Sequence, residues 1–303
     1  MRIILLLLLF TGCTSNVVKE NIVENVKIEV YFCPEDDCER ILFNFLNSSE
    51  KSIHCALYDL DLDKIIKLLE EKQAKLIIDD NNYQNFSFDV KKDSSSRVMH
   101  NKFCVVDEKK VFTGSFNPTE KGAYFNNNNM LIIESSYISR NYEDEFNELW
   151  FNLNQTKISY PIVNYHIENY FCPEDNCGKE IIEEIRAAKS SIYFMMFSFT
   201  HPEIANELVL KHYEGIEVKG VMESRQISKY SRFDLFKFQG INVKKDNNKH
   251  NMHHKVFIID NETVITGSFN PTKNGDYKND ENIIIINDKN IAKLFLEEFR
   301  ELW

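Results

Sequence analysis

The sequence contains little glycine and proline, and it has no excess of positive charge. Among 303 residues there are 9 Gly and 6 Pro, which excludes a collagen-like chain and a low-complexity disordered one. Lys and Arg number 36 against 47 Asp and Glu, so the formal net charge is −11. This balance disfavours a nucleic-acid binder with a broad basic face, although a single cleft can still be positive on an acidic protein.

A long apolar run is also missing near the N-terminus. Residues 3–10 are apolar, but they are too few to span a bilayer as a helix. The segment 10–13 resembles a bacterial lipoprotein cleavage box that ends in Cys13, with Phe10 where Leu is usual. The resemblance implies cleavage before Cys13 and lipidation of that residue, whereas an ordinary signal peptide or an uncleaved anchor is the alternative.

This interpretation fixes the expected organisation of the N-terminus and the location of the protein. Residues 1–12 would be a signal peptide, and residues 13–25 a linker that follows the lipid. The mature protein would be exported and anchored to the outer face of the cell membrane.

Four cysteines form two close pairs in the same local sequence, Cys-Pro-Glu-Asp-x-Cys. The pairs are Cys33 with Cys38, and Cys172 with Cys177. Export permits disulfides, so each pair is interpreted as a staple of a small loop, with a metal site as the less favoured alternative. Cys55 and Cys104 lie in apolar strands and are expected to be buried core residues, not reactive thiols.

An internal repeat determines the expected architecture. Residues 31–36 recur at 170–175, residues 114–119 recur at 267–272, and residues 100–150 align without a gap on residues 253–303. In each half, apolar strands alternate with helices, which predicts an α/β fold with a mixed sheet. The predicted halves, 26–152 and 165–303, would pack side by side about a pseudo-two-fold axis.

Both halves contain the pattern His-x-Lys, then four intervening residues, then Asp. The members are His100, Lys102 and Asp107, and then His253, Lys255 and Asp260. On a strand, residues two apart point to the same face, so an imidazole and an ammonium would project together. The odd spacing of each Asp points it to the opposite face, which indicates a structural role.

A Gly-Ser-x-Asn turn follows each His motif at the same distance. It contributes Ser115 and Asn117 in the first half, and Ser268 and Asn270 in the second. These donors and the two Lys residues would offset the charge of a phosphodiester, so no metal or other cofactor is expected.

Together these motifs resemble the phospholipase D superfamily, and most closely its small nuclease and cardiolipin-hydrolase-like branch. The resemblance implies that one His attacks phosphorus to form a phosphohistidine, while the other serves as general acid and then base. The family often has a Glu that accepts a hydrogen bond from the His, and Glu281 matches that position. The first half has Asn128 there instead. On this asymmetry we expect His253 to be the nucleophile and His100 the acid and base.

The substrate remains open among related alternatives. A membrane-tethered phosphodiesterase for phospholipids is favoured over a non-specific nuclease and over a phosphatidyl transferase, and a non-catalytic surface lipoprotein is the remote alternative. Apolar residues at 195–197 and 233–238 could contact lipid. A nuclease would instead use a basic groove, for which the candidates are Lys229, Arg232, Lys237, Lys244, Lys245 and Lys249. A monomer would suffice, since the duplication supplies both half-sites.

Overall fold

The computed structural model describes residues 20–93, 97–153, 160, 162–164 and 166–303. The expected signal peptide, Cys13 and most of the linker lie outside these residues. Across the described ranges, none of the helices combines the length and apolar character that a membrane span requires.

The first half alternates strands with helices. Its strands are β1 (Asn21–Ile22), β2 (Lys27–Cys33), β3 (Ile53–Leu57), β4 (Lys75–Asp79), β5 (Asp89–Asp93), β6 (Lys102–Val106), β7 (Lys110–Gly114) and β8 (Asn128–Glu134). Its helices are α1 (Cys38–Asn47), α2 (Asp63–Glu71), α3 (Glu120–Tyr124) and α4 (Ser136–Phe151). Seven of these strands form a mixed sheet in the order β2-β8-β7-β6-β3-β4-β5, in which β3, β4 and β5 are parallel.

The second half repeats this plan with additions. Its strands are β9 (Ile162–Val163), β10 (Ile167–Cys172), β11 (Ser191–Met196), β12 (Glu217–Met222), β13 (Asn242–Lys245), β14 (Lys255–Ile259), β15 (Thr263–Gly267) and β16 (Glu281–Asn287). Its helices are α5 (Cys177–Ala187), α6 (Pro202–Tyr213), α7 (Phe233–Phe238), α8 (Lys273–Tyr277) and α9 (Lys289–Leu302). The sheet order is β1-β9-β10-β16-β15-β14-β11-β12-β13, so β1 crosses over to extend the second sheet.

Helices α4 and α9 lie where the two halves meet. Each packs on its own sheet and also touches the other half, α4 through β10 and α9 through β2. The buried face of α9 carries Ala292, Phe295 and Phe299, at the spacing of an amphipathic helix. At this junction Tyr142 packs edge-on against both Phe103 and Phe171, each at a centroid distance of 5.0 Å. The halves therefore share one apolar core.

Contacts between the halves are reciprocal, as a pseudo-two-fold arrangement requires. The backbone N–H of His100 donates to the carbonyl of Asp280 at 2.9 Å, and that of His253 donates to the carbonyl of Asn127 at 2.8 Å. These residues occupy equivalent positions in the repeat. The predicted fold of two duplicated α/β halves is thus confirmed.

Three disulfides join the six cysteines of the described residues. Cys33–Cys38 and Cys172–Cys177 each close a loop of the kind expected. Cys55 and Cys104 are fully buried but also bonded to each other, because β3 and β6 place them directly opposite. The expectation of two separate core residues therefore needs correction. Their second-half counterparts are Phe194 and Phe257, so the repeat carries no sign of this bond.

Candidate active site

Both candidate histidines lie in the segment that enters a strand, not on the strand itself. Strand β6 begins at Lys102 and β14 begins at Lys255, each two residues after the His. A buried carboxylate at the carboxyl end of the strand two places away in the sheet fixes each approach. Asp79 accepts from the backbone N–H of Met99 at 3.1 Å, and Glu223 accepts from that of Met252 at 2.7 Å.

The two halves exchange partners at the candidate histidines. Nδ1 of His100 lies 2.7 Å from Oε2 of Glu281, which belongs to the second half. Nδ1 of His253 lies 2.9 Å from Oδ1 of Asn128, which belongs to the first half, and 3.2 Å from the carbonyl oxygen of Ser115. Glu281 therefore supports His100 and not His253. The expectation that Glu281 stabilises charge on His253 is wrong, because the halves cross at this point.

These partners fix the tautomer of both rings. Carboxylate and carbonyl oxygens accept hydrogen bonds, so Nδ1 carries the proton in each His and Nε2 is left for chemistry. The orientation of the Asn128 amide follows from its nitrogen, which donates to the carbonyls of Gly122 and Asn126 at 3.1 and 3.3 Å.

The two lysines are buried beside their histidines. Nζ of Lys102 donates to the carbonyl oxygen of His100, and Nζ of Lys255 to that of His253, both at 2.7 Å. Burial lowers the pKa of Lys102 to about 7, although the carboxylate of Glu281 opposes this shift. Burial, and next the charge of Lys102, lower the pKa of Lys255 well below its ordinary value. Burying two ammonium groups costs free energy, and a bound anion offsets that cost. The arrangement therefore suits a site that binds an anion.

Burial also favours the neutral form of both imidazoles. It lowers the pKa of His100 below its ordinary value, while Glu281 acts in the opposite direction. The pKa of His253 falls well below its ordinary value through burial and then through the charges of Lys255 and Lys102.

The Gly-Ser turns support the partners of the histidines. Gly114 has φ of +133°, and a Cβ atom there would lie 2.4 Å from the carbonyl oxygen of Asn129, so the turn requires glycine. The Ser115 hydroxyl donates to Oδ1 of Asn128 at 3.3 Å, and the Ser268 hydroxyl donates to Oε2 of Glu281 at 2.8 Å. A hydroxyl has one hydrogen, so both serines orient the His partners in this structure instead of presenting a donor to the cleft.

Asn117 and Asn270 occupy equivalent places just beyond these serines. In both, Oδ1 is buried and accepts no hydrogen bond from the described residues. An amide oxygen cannot donate to a phosphodiester, so the predicted contact with substrate would fall to the amide nitrogens and stays a prediction.

Asp107 and Asp260 hold the far ends of their strands. The Asp107 carboxylate accepts from the backbone N–H groups of Glu50, Lys51 and Ser52 at 2.7 to 3.0 Å. Asp260 makes the equivalent contacts to residues 189–191. These backbone hydrogen bonds hold the pKa of both carboxyls below the ordinary value, although burial opposes the shift. Both residues are structural in this arrangement, away from the histidines.

Comparison with known proteins matches this arrangement to one family. The family model described as cardiolipin synthase, PLD-like domain, matches residues 77–150 and 181–303, which is more than half of the chain. The chain belongs to this phospholipase D-like family.

Individual relatives carry related names. The mitochondrial cardiolipin hydrolase of Mus musculus is 33% identical over 124 residues, which cover 41% of this chain and 56% of that protein. A phospholipase D of Rickettsia prowazekii (strain Madrid E) is 29% identical over 174 residues, covering 56% of this chain and 83% of that protein. The match thus spans little more than half the length of the mouse relative.

A solved structure resembles nearly the whole chain. Phosphatidylserine synthase of Haemophilus influenzae superimposes with a TM-score of 0.67 over 90% of this chain and 85% of that one. The sequence identity is 12%, so this likeness shows the phospholipase D-like fold alone.

Two aromatic residues flank the histidines of this phospholipase D-like site. Sequence reasoning missed Tyr58, and it singled out Phe197 only as a candidate lipid contact. Tyr58 packs edge-on against His100 at 4.9 Å, and Phe197 packs likewise against His253 at 4.6 Å. Each ring also faces the neighbouring ammonium, with Nζ of Lys102 5.1 Å from the centre of Tyr58. Aligning the repeats places both aromatics just after equivalent strands, and that signal could have found them.

Many of the residues considered for lipid contact or for a basic groove are buried or make contacts within the protein. Met195 and Met196 are buried, and Phe233 and Phe236 lie in the core, whereas Phe238 is 86% exposed. Four of the six candidate basic residues make contacts within the protein, and one of them is Lys229, whose Nζ lies 4.9 Å from the centre of the Tyr230 ring. Arg232 donates to the carbonyl of Thr200, Lys244 to that of Trp303, and Lys245 faces a Phe ring. These contacts leave fewer of the basic side chains for a groove.

Proposed function

We propose that the chain is a phospholipase D-type phosphodiesterase with one active site built from both halves. The observation that carries this proposal is the exchange of partners, in which His100 pairs with Glu281 and His253 with Asn128. This exchange joins the two His-x-Lys motifs in a single site. The two buried lysines of that site can neutralise one phosphodiester anion.

His100 is the better candidate for the nucleophile. Attack on phosphorus leaves a positive charge on the ring for the lifetime of the intermediate, and a carboxylate stabilises this charge better than an amide does. Glu281 supplies that carboxylate to His100, 2.7 Å from Nδ1. The neutral state that burial favours leaves Nε2 of His100 with a free lone pair.

The proposed reaction has two displacements. Nε2 of His100 forms a bond to phosphorus as the bond from phosphorus to the leaving oxygen breaks, and Nε2 of His253 supplies the proton to that oxygen. Water then gives a proton back to His253 and attacks phosphorus, which breaks the bond to His100. Binding of the anionic substrate raises the pKa of His253 against the effect of burial and the lysines, so the complex holds the proton that the first step needs.

Phospholipid is the proposed substrate class. The net charge of −11 gives little general attraction for nucleic acid. The names of the mouse and Rickettsia relatives also favour phospholipid.

Vesicles and nucleic acid test this proposal directly. Wild-type protein is assayed on phospholipid vesicles and on single-stranded DNA, with a chelator and a primary alcohol present. The variants are H100A and H253A, with H166A as a matched control, since His166 is exposed and lies outside the site. Release of head group or phosphatidate that both site variants lose is expected. Phosphatidyl alcohol formed in place of phosphatidate would indicate a transferase, since the covalent intermediate of a hydrolase can also react with added alcohol. DNA cleavage with intact lipid would indicate a nuclease, and inactivity on both substrates would overturn the proposal.

The role of each His is tested with a p-nitrophenyl phosphodiester. Its leaving group departs without a proton, so H253A should complete the first step and accumulate phosphate on His100. H100A should form no covalent adduct. Mass spectrometry that finds the adduct on His253, in wild type or in H100A, would reverse the assignment.

We also propose the lipid anchor at Cys13 and export of the protein as a monomer. Support comes from the apolar run at 3–10, the box at 10–13 and the duplication that supplies both half-sites. Fatty-acid labelling of cells that express wild-type protein or C13S is the test, and label that persists in C13S would contradict it. A dimer in light scattering of the soluble form would contradict the monomer.

A further inference from the structure

The residue between His and Lys in each motif is buried and bonded to the opposite half. His254 has no exposed surface, and its Nε2 lies 2.8 Å from Oε1 of Glu298 on α9. Its Nδ1 lies 3.2 Å from Oδ1 of Asn129 in the first half. In the first motif, Asn101 is equally buried, donates to Oε1 of Glu145 on α4 at 3.0 Å and accepts from Nδ2 of Asn282 at 2.8 Å.

Asn129 and Asn282, which bond to these two residues across the halves, each hold the Gly-Ser turn of their own half. The backbone N–H of Asn129 donates to the Ser115 hydroxyl at 3.0 Å, and its carbonyl accepts from the backbone N–H of Ser115 at 3.0 Å. Asn282 makes the same two bonds to Ser268 at 2.9 and 3.1 Å. Since each serine hydroxyl bonds to the partner of a catalytic histidine, these turns set the position of that partner.

The contacts form two circuits that start and end in the same motif. One runs through His254, Asn129, Ser115 and Asn128 to His253, with donor–acceptor distances of 3.2, 3.0, 3.3 and 2.9 Å. The other runs through Asn101, Asn282, Ser268 and Glu281 to His100, with distances of 2.8, 2.9, 2.8 and 2.7 Å. Each circuit crosses into the other half and returns.

We propose that His254 and Asn101 are positioning residues, each of which orients the catalytic His beside it through the Gly-Ser turn of the opposite half. Glu298 and Glu145 hold them in place. This inference rests on the proposed function. It adds two pairs, His254 with Glu298 and Asn101 with Glu145, which do not touch the substrate but determine the geometry of the site.

The two circuits run with opposite polarity, which explains how His and Asn serve one role. His254 donates to the amide oxygen of Asn129, whose nitrogen donates to the Thr266 hydroxyl at 2.8 Å. Asn101 instead accepts from the amide nitrogen of Asn282, whose oxygen accepts from the Thr113 hydroxyl at 2.9 Å. A flipped amide and a rotated hydroxyl interconvert these arrangements, so either residue type can close a circuit.

This equivalence supplies a conservative variant. In H254N, Asn129 can flip and Thr266 can rotate, which would restore the first-half arrangement, so we expect kcat within a few-fold of wild type. In the double variant H254L/E298L both buried partners become apolar, which leaves no unpaired charge and favours folding. Its circuit is nevertheless broken, and we expect kcat to fall by about 10 to 100-fold with a smaller change in KM.

Three measurements separate the outcomes. Thermal melting checks that each variant folds. Steady-state kinetics on the p-nitrophenyl diester give kcat and KM. Isotope-edited NMR of the imidazole nitrogens reports whether His253 keeps its proton on Nδ1, with no need for activity, and we expect a mixture of tautomers in the double variant.

The inference would be overturned by a folded H254L/E298L protein with wild-type kcat and an unchanged His253 tautomer. It would also be overturned if folded H254N were as slow as the double variant. Wild-type protein that cleaves no phosphodiester would instead refute the proposed function, and the NMR result would then still decide the positioning role.

Discussion

Replacing Glu281 by Gln isolates the contribution of one buried charge. Glu281 has no exposed surface, and its Oε2 accepts from both the His100 ring and the Ser268 hydroxyl. Gln has the same length and retains an acceptor oxygen, so the tautomer of His100 is preserved. The substitution therefore removes the negative charge and leaves the orientation of the ring.

The expected magnitude follows from the strength of the two kinds of hydrogen bond. A bond to a charged partner contributes about 1.5–3 kcal/mol and a neutral one about 0.5–1.5 kcal/mol, a difference of about 1–1.5 kcal/mol. That difference corresponds to about 5 to 13-fold in the rate of the step that forms the charged ring. Glu281 also raises the pKa of Lys102 and Lys255, so its loss leaves less positive charge for the anion and KM should rise.

Burst kinetics on the p-nitrophenyl diester measure the first step directly. We expect E281Q to slow the burst by the factor above, and E281A to slow it further because the ring also loses its orientation. N128A is the matched control at the equivalent position, which should affect the proton transfers of His253 more than this burst. A burst in E281Q as fast as in wild type would refute the argument that the carboxylate stabilises charge on His100.

Three further predictions follow from particular contacts. Burial lowers the pKa of Lys102 to about 7, so kcat/KM should fall as the pH rises above about 7. In K102R the guanidinium stays charged, so the fall in kcat/KM should move to higher pH. If the fall stays at the same pH, it reports the titration of His253 instead. D107A removes three backbone hydrogen bonds and should lower stability at neutral pH by about 1–2 kcal/mol in urea unfolding, a modest value because the carboxylate is partly exposed. Since the pKa of Asp107 is lowered in the folded state, this difference should vanish as acid protonates it, and one that persists in acid would contradict the account. The bond between Cys55 and Cys104 closes a loop of 49 residues, so the double Ala variant should lose about 4 kcal/mol under oxidising conditions, and an unchanged melting temperature would exclude the bond.

Local patterns in the sequence were sufficient to predict the helices and strands and to identify the types of residue that form the site. Apolar segments predicted that strands alternate with helices in each half, and the structure has this order. The repeat predicted that His100, Lys102, His253 and Lys255 would act as two equivalent pairs, and the structure brings them together. These features depend on near neighbours in the chain or on a comparison of the chain with itself, so they can be inferred before any fold is known.

Only the tertiary structure decided which side chain meets which. Glu281 lies in the second half yet bonds to His100, since the halves exchange partners across the pseudo-two-fold axis. Cys55 meets Cys104 through the register of two strands, and His254 reaches Asn129 through the packing of one half on the other. A sequence specifies donors, acceptors and charges, but contacts between distant segments depend on register and on the packing of the shared core, and those are properties of the whole fold.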